Sequence, residues 1–344
     1  MKFDFVIGNP PYQDNTIGDN EGFAPPVYNK FLNSAYEVAG KVEMIHPARF
    51  LFDAGSTPKT WNEKMLNDAH FKVKFYEADS SKVFSNTDIK GGVVISYRDS
   101  GKDFGAIEIF TPDVRLNSIL KKVRNAENFQ GMSKIVITRT AYRLTQKVHE
   151  DFPNAAKQLS KGHLYDMSSN IFERLPQIFY DVEPHDEKDY MRILGRKNNE
   201  RIYKFIRKDY VRETINTNSY KVVLPKASGT GAFGEIISKP FVDIPGNGST
   251  ETFITIGKFD NKIEAENALK YICAKFTRAM LGVLKRTQEI TPDKWKYVPL
   301  QDFTDQSDID WSASISDIDK QLYRKYGLSE EEIEFIENNV KEME

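Results

Sequence analysis

The chain has 344 residues, 40% of them hydrophobic and 28% charged, with a formal net charge of −2. That length calls for two domains with cores of their own, and no apolar run approaches the roughly eighteen residues of a membrane span. A single cysteine, Cys273, excludes a disulfide framework and a thiolate metal site; set in an apolar helical pattern, it reads as a core residue in a reducing, cytoplasmic compartment.

Residues 1–8 read as a buried strand, with Phe3, Phe5, Val6 and Ile7 closed by Gly8. Asp4 interrupts the run and no small-residue cleavage site follows, so this is not a signal peptide. Asn9-Pro10-Pro11-Tyr12 stops the strand, because two prolines forbid strand pairing and helix alike. Helical spacing runs from Val27 to Ala39 and ends at Gly40. A strand at Val42–Ile45 ends at His46-Pro47, a helix follows over Trp61–Ala69, and Phe71–Tyr76 and Gly92–Tyr97 are two further strands. The order is that of an α/β sheet. Beyond residue 100, strands are expected at Ala106–Phe110, Ile135–Thr138, Tyr220–Pro225, Phe233–Ile237 and Thr252–Ile256. One long amphipathic helix is expected over Lys262–Lys285. The tail reads as two small helices, Ser316–Gly327 and one starting at Ser329, which with Glu332 forms a capping box.

The informative string is Asn9-Pro10-Pro11-Tyr12, directly after a hydrophobic strand. An exocyclic amino nitrogen is a poor nucleophile because its lone pair is delocalised into the ring. Acceptors aimed at its two hydrogens localise that pair, and the Asn9 side-chain oxygen and the Pro10 carbonyl can supply them from a rigid backbone. A base flipped out of a duplex needs an aromatic face, which Tyr12 offers. The bland alternative is a proline-rich turn.

Phe3 to Gln13 resembles motif IV of the gamma-type N6-adenine DNA methyltransferases of restriction–modification systems. The resemblance continues through Val27–Leu32, similar to the helix whose aromatic, here Phe31, packs near the cofactor adenine. It continues through Glu43–Leu51, and through Val83–Ser85 with Gly91–Tyr97, where Phe84 matches the aromatic that supports the flipped base. Taken alone, Phe31 and Phe84 read more readily as core. Strings at Gly195–Asn199, Leu224–Gly229, Gly234-Glu235, Lys275–Arg278, Trp295–Phe303 and Asp310–Ser312 look like the target-recognition region of large restriction–modification methylases. The resemblance implies the C-terminal half of a Rossmann-like methyltransferase sheet in residues 1–100, a mixed α+β target-recognition domain in 101–300, and a helical tail in 301–344. It also implies S-adenosylmethionine as methyl donor and double-stranded DNA as substrate.

In that family a glycine loop gripping the donor precedes motif IV, and here eight residues precede Asn9. The expectation is therefore an incomplete cofactor site, a long hydrophobic edge at strand 1–8, and a cover for that edge: a separately encoded N-terminal methyltransferase half or other restriction–modification subunit, or the preceding part of a longer enzyme from which this sequence is cut. Gly229-Thr230-Gly231-Ala232-Phe233-Gly234 fits G-x-G-x-x-G, but a dinucleotide-type loop must open a helix. The β-branched, proline-closed stretch after it favours a hairpin or DNA-facing loop.

The five histidines are scattered without metal-ligand spacing. Basic residues cluster with aromatics at Arg196, Lys197, Arg201, Lys204, Arg207 and Lys208, an expected phosphate-contacting face; the alternative is a solvated surface. Lys275, Arg278, Lys285 and Arg286 are a second, weaker basic group. The sequence thus points to a site-specific DNA adenine-N6 methyltransferase, with Asn9, Pro10, Pro11 and Tyr12 catalytic. The rival is a catalytically silent DNA-specificity subunit.

Overall fold

The apolar run ahead of Asn9 forms strand β1 (Phe3–Gly8), and the helical spacing after Pro26 forms α1 (Tyr28–Val38). The computed structural model describes residues 3–14, 24–52, 55–85 and 87–343. The chain divides into two compact units, Met1–Asn117 and Ser118–Glu344.

In the first unit α1 passes without a loop into β2 (Ala39–Pro47), because Ala39 is already extended (φ −140°, ψ 144°). Gly40, expected to stop the helix, lies inside the strand. Then come α2 (Lys59–Leu66), β3 (Phe71–Glu77) and β4 (Val93–Asp99). They build one four-stranded sheet in the order β1-β2-β4-β3. β1 and β2 are parallel, as a helical crossover dictates, and β4 runs antiparallel to both its neighbours. The core on one side joins Tyr28 and Leu32 of α1 to Phe50, Trp61, Met65, Phe71 and Val94.

β1 is an edge strand. Val6 packs against Ala35, Val42 and Met44, but Phe3, Phe5 and Ile7 are 46%, 42% and 76% exposed. The expected hydrophobic edge is therefore present. The strand expected at Ala106–Phe110 is not; Glu108 takes a positive φ of 55°, and Phe110 turns into the core instead.

The unit boundary falls within α3 (Val114–Arg124), a helix absent from the sequence expectations. The second unit opens with β5 (Val136–Ile137), β6 (Arg143–Leu144) and three short helices, α4 (Gln146–Asp151), α5 (Ala155–Gln158) and α6 (Ile171–Arg174). A hairpin follows, β7 (Tyr190–Lys197) and β8 (Glu200–Arg207), turned by Asn198 and Asn199 at positive φ. The remaining strands are β9 (Val211–Arg212), β10 (Tyr220–Pro225), β11 (Phe241–Asp243), β12 (Asn247–Ser249) and β13 (Phe253–Phe259). They form sheets ordered β11-β10-β13-β5, β12-β7-β8 and β6-β9.

The helix expected over Lys262–Lys285 is two helices, α7 (Lys262–Cys273) and α8 (Lys275–Gly282), broken at extended Ala274. Asp319 of α9 (Ile315–Lys325) accepts hydrogen bonds from the Lys275 and Phe276 amides and so caps α8. The last helix, α10 (Glu330–Asn339), carries the expected Ser329–Glu332 capping box. The α/β sheet in the first unit and mixed α and β structure in the second match the expected fold class. Among the described residues no helix is long and apolar enough to cross a membrane.

Candidate active site at the carboxyl ends of β1 and β2

Parallel strands point their carboxyl ends at one rim of the sheet, where open α/β sheets bind ligands. The rim of β1 and β2 carries Asn9–Tyr12 and Pro47–Arg49. A cavity of about 320 Å³ opens there, lined by Tyr12, Pro26, Tyr28, Pro47, Arg49 and Lys90 among others. That is at the small end of the range of about 300–1,000 Å³ typical of ligand sites.

The turn after β1 is pinned by short pairing with the chain entering α1. The Val27 amide donates to the Tyr12 carbonyl at 3.1 Å, and the Asp14 amide donates to the Pro25 carbonyl at 2.9 Å. Pro10 is buried while Asn9 and Pro11 are exposed, and these three stand outside the cavity lining. Tyr12 forms part of the wall. Its Oη is buried and has no hydrogen-bond partner among the described residues, a cost a folded chain rarely accepts without a use. Burial raises its pKa.

Phe84 stands beside Tyr12, ring centroids 6.4 Å apart and planes crossing at 63°. The two rings assigned to the base are thus brought together, edge to face. To sandwich a base they must lie parallel with roughly 7 Å between them, two van der Waals layers. A turn holds Phe84 in place: its amide donates to the Ser80 carbonyl, and the Thr87 hydroxyl donates to its carbonyl. Phe31 is 46% exposed on α1 and is not among the cavity-lining residues.

Behind the cavity Tyr28 stacks on His46 at 5.4 Å and 10°. His46 is fully buried, with Nε2 2.7 Å from Ser96 Oγ and Nδ1 3.1 Å from the Pro47 carbonyl. Burial lowers its pKa to about 4, the Pro47 carbonyl opposing, so the imidazole is neutral and structural. Burial pushes the Tyr28 phenol up to about 12, while Thr57 and the Arg49 charge act the other way. Tyr28 and Arg49 lie within the Val27–Leu32 and Glu43–Leu51 strings, where the sequence alone assigns neither a role. Among the described residues no group of histidines, cysteines and carboxylates could hold a metal ion.

The Gly229–Gly234 loop is closed on itself. The Glu235 carboxylate accepts from the Thr230 amide (2.6 Å), the Gly231 amide (2.8 Å) and the Thr230 hydroxyl (3.0 Å), and pairs with buried Lys285. Burial alone would raise the Glu235 pKa, but these donors hold it at about 2. No helix follows the loop, and Phe233–Ile237 is not a strand. The loop's backbone donors are therefore spent on an internal carboxylate, and it does not fit the phosphate or carboxylate of a cofactor.

The first basic cluster splits across the two faces of the β7–β8 hairpin, as a period of two requires. Arg196 and Arg201 face each other across the register, on the side of Arg207, while Lys197 and Lys204 fall on the other. Lys204 pairs with Asp181, Arg207 with Asp151 and Asp209, and Lys208 with Glu213. Arg196, Lys197 and Arg201 stand exposed at the hairpin tip; Arg201 lies over Phe241 and donates to the Lys239 carbonyl. The second basic group is no surface patch: Arg278 and Lys285 are buried, and Lys275 pairs with Glu337.

Residues 1–84 match the family model described as Eco57I restriction-modification methylase. An "uncharacterized adenine-specific methylase" of Mycoplasma pneumoniae is 33% identical over 95 residues, covering 27% of this chain and 22% of the relative. Two solved structures are similar over 98% of the chain. The type IIG restriction endonuclease BpuSI gives a TM-score of 0.34 at 10% identity over 54% of its length. The type IIL restriction-modification enzyme MmeI, solved with DNA, gives 0.41 at 11% over 56%. The chain thus spans about a fifth of the curated relative and about half of each solved structure. The segment that carries Asn9–Tyr12, residues 1–84, is thus similar in sequence to the Eco57I restriction-modification methylases.

Proposed function

We propose that this chain is the target-base half of a DNA adenine-N6 methyltransferase of a restriction–modification system. The observation that carries the reading is the Asn9-Pro10-Pro11-Tyr12 turn at the carboxyl end of β1, with the unpartnered Tyr12 hydroxyl in the wall of a nucleoside-sized cavity. Asn9 makes no side-chain hydrogen bond to any described residue, so its oxygen is available to a substrate. In this reading the Asn9 oxygen and the Pro10 carbonyl accept the two N6 hydrogens of an adenine turned out of the duplex. That draws the lone pair out of the ring and aims it at an incoming methyl group. Tyr12 and Phe84 hold the ring.

S-adenosylmethionine is the expected donor, and the described residues do not fit it. The Gly229–Gly234 loop is filled by Glu235, and Phe31 is not among the residues lining the cavity. We assign donor binding to an N-terminal methyltransferase half or another restriction–modification subunit. The exposed apolar edge at Phe3, Phe5 and Ile7 supports such a partner, since an open strand edge is otherwise a liability. Target recognition is assigned to residues 101–300, with Arg196, Lys197 and Arg201 at the hairpin tip as phosphate contacts, and 301–344 as a supporting helical tail. A cytoplasmic location suits such a function.

The test compares Asn9→Ala with wild type in the complete enzyme, scoring methyl transfer and DNA binding side by side. Transfer should fall by about a thousandfold, the scale of losing a preorganised acceptor, with DNA binding kept. Equal loss of both makes Asn9 structural. Unchanged transfer makes this chain a silent DNA-specificity subunit.

A further inference from the structure

Arg49 stands apart from the other arginines of the first unit. Arg98 pairs with Asp68 at 2.7 Å and Arg115 with Asp113 at 2.7 Å. Arg49 lines the cavity, yet among the described residues its guanidinium has no hydrogen bond and no ion pair. An uncommitted guanidinium at a cavity wall is a planar fork of donors awaiting an anion.

The backbone has been shaped around this side chain. Gly55 and Gly91 both take positive φ, +91° and +88°, and both abut the Arg49 stem. A Cβ on Gly91 would come 2.5 Å from Arg49 Cγ, and one on Gly55 would come 3.3 Å from Arg49 Cβ. Arg49 itself is fixed where β2 ends, because the Ala48 amide donates to the Gly92 carbonyl at 3.0 Å. The stem is thus held between two glycine backbones and only the head is free. The same cavity is lined by Tyr12, Tyr28, Pro26 and Pro47, whose ring faces suit a base. The other charges on the wall are Lys90 and Asp88, which neutralise each other at 3.8 Å on the exposed rim.

We propose that Arg49 grips a phosphate of the target nucleotide, so that the cavity receives a whole adenine nucleotide rather than the base alone. This rests on the reading of the cavity as the adenine site, and assigns Arg49 the task of fixing the flipped nucleotide's backbone while the Asn9–Tyr12 turn meets its base.

The experiment is a ligand-observed NMR titration of the full chain with deoxyadenosine, 5′-dAMP, 3′-dAMP and inorganic phosphate. Each is measured for wild type, Arg49→Gln and Arg49→Lys. One of the two monophosphates should bind wild type about tenfold more tightly than deoxyadenosine, the scale of one charge-assisted bidentate contact. That increment should vanish in Arg49→Gln and survive only in part in Arg49→Lys, with deoxyadenosine binding unchanged in both. Equal binding of nucleoside and both monophosphates, or an increment that survives Arg49→Gln, overturns the role of Arg49 and leaves the base site standing. Inorganic phosphate binding as tightly as the monophosphate reduces the site to a general anion site. Binding of none of the four overturns the adenine site and the proposal together.

Discussion

After β1 the chain turns through Asn9–Tyr12, and after β10 it turns through the Gly229–Gly234 loop; each looks like a motif, and they treat their polar groups in opposite ways. At the first turn, among the described residues, Asn9 is exposed without a partner, the Tyr12 hydroxyl is buried without one, and the neighbouring Arg49 is uncommitted. At the second, two amides and a hydroxyl converge on Glu235, whose charge is met by Lys285. Polar groups satisfied internally hold a fold together. Polar groups left over, in the wall of a cavity at the end of parallel strands or on the turn beside it, wait for a ligand. A glycine pattern cannot distinguish these cases; the hydrogen-bond inventory does.

The comparison breaks first at Glu235. Glu235→Gln removes a charge from a pair buried beside Lys285 and should cost the second unit about 3 kcal/mol, the scale of leaving one partner of a buried pair alone. Urea unfolding measures it, and a cost near zero would mean the loop is not held by its carboxylate. The next effect is acid sensitivity. His46 has its folded pKa lowered to about 4, so its neutral form stabilises the first unit fully above the unfolded value near 6.5 and loses that as pH falls toward 4. Between pH 7 and pH 5 this amounts to about 2 kcal/mol, read from hydrogen exchange of the β2 and β4 amides. Glu235, held at about 2, keeps its contribution through that window and loses it only as pH falls from the usual carboxylate range toward 2.

Two smaller effects separate function from stability. Tyr12→Phe removes a buried hydroxyl that bonds to nothing, so it should stabilise the free chain by about 1 kcal/mol while weakening methylation. Destabilisation instead would show that the hydroxyl is satisfied in solution. Ser96→Ala strips the His46 Nε2 of its partner and should cost about 1 kcal/mol with little change in methylation, because His46 only backs the cavity.

Much of the first unit was legible. Apolar runs broken by Gly and Pro marked all four strands, and the strand-then-prolines pattern marked the turn. In the second unit β10, β13 and the Ser329 capping box were equally plain. The hairpin β7–β8 was missed because arginines and lysines alternate there with aromatics; the one-dimensional string reads as a charge cluster, whereas the strand period sends those charges to two faces. The break at Ala274 was invisible because the apolar spacing runs straight through it, and the group that caps α8 is Asp319, 44 residues downstream of Lys275. Arg49 gave no local signal. Its place depends on Gly55 and Gly91, which meet it only in the folded chain.

Everything proposed for this chain turns on activation of an adenine in DNA by the Asn9–Tyr12 turn. The most direct measurement is a single-molecule methylome of the native organism carrying Asn9→Ala at the chromosomal locus, with the protein's abundance checked. N6-methyladenine should disappear from every copy of one recognition sequence and stay unchanged elsewhere. An unaltered methylome, with the variant present at normal abundance, would contradict it.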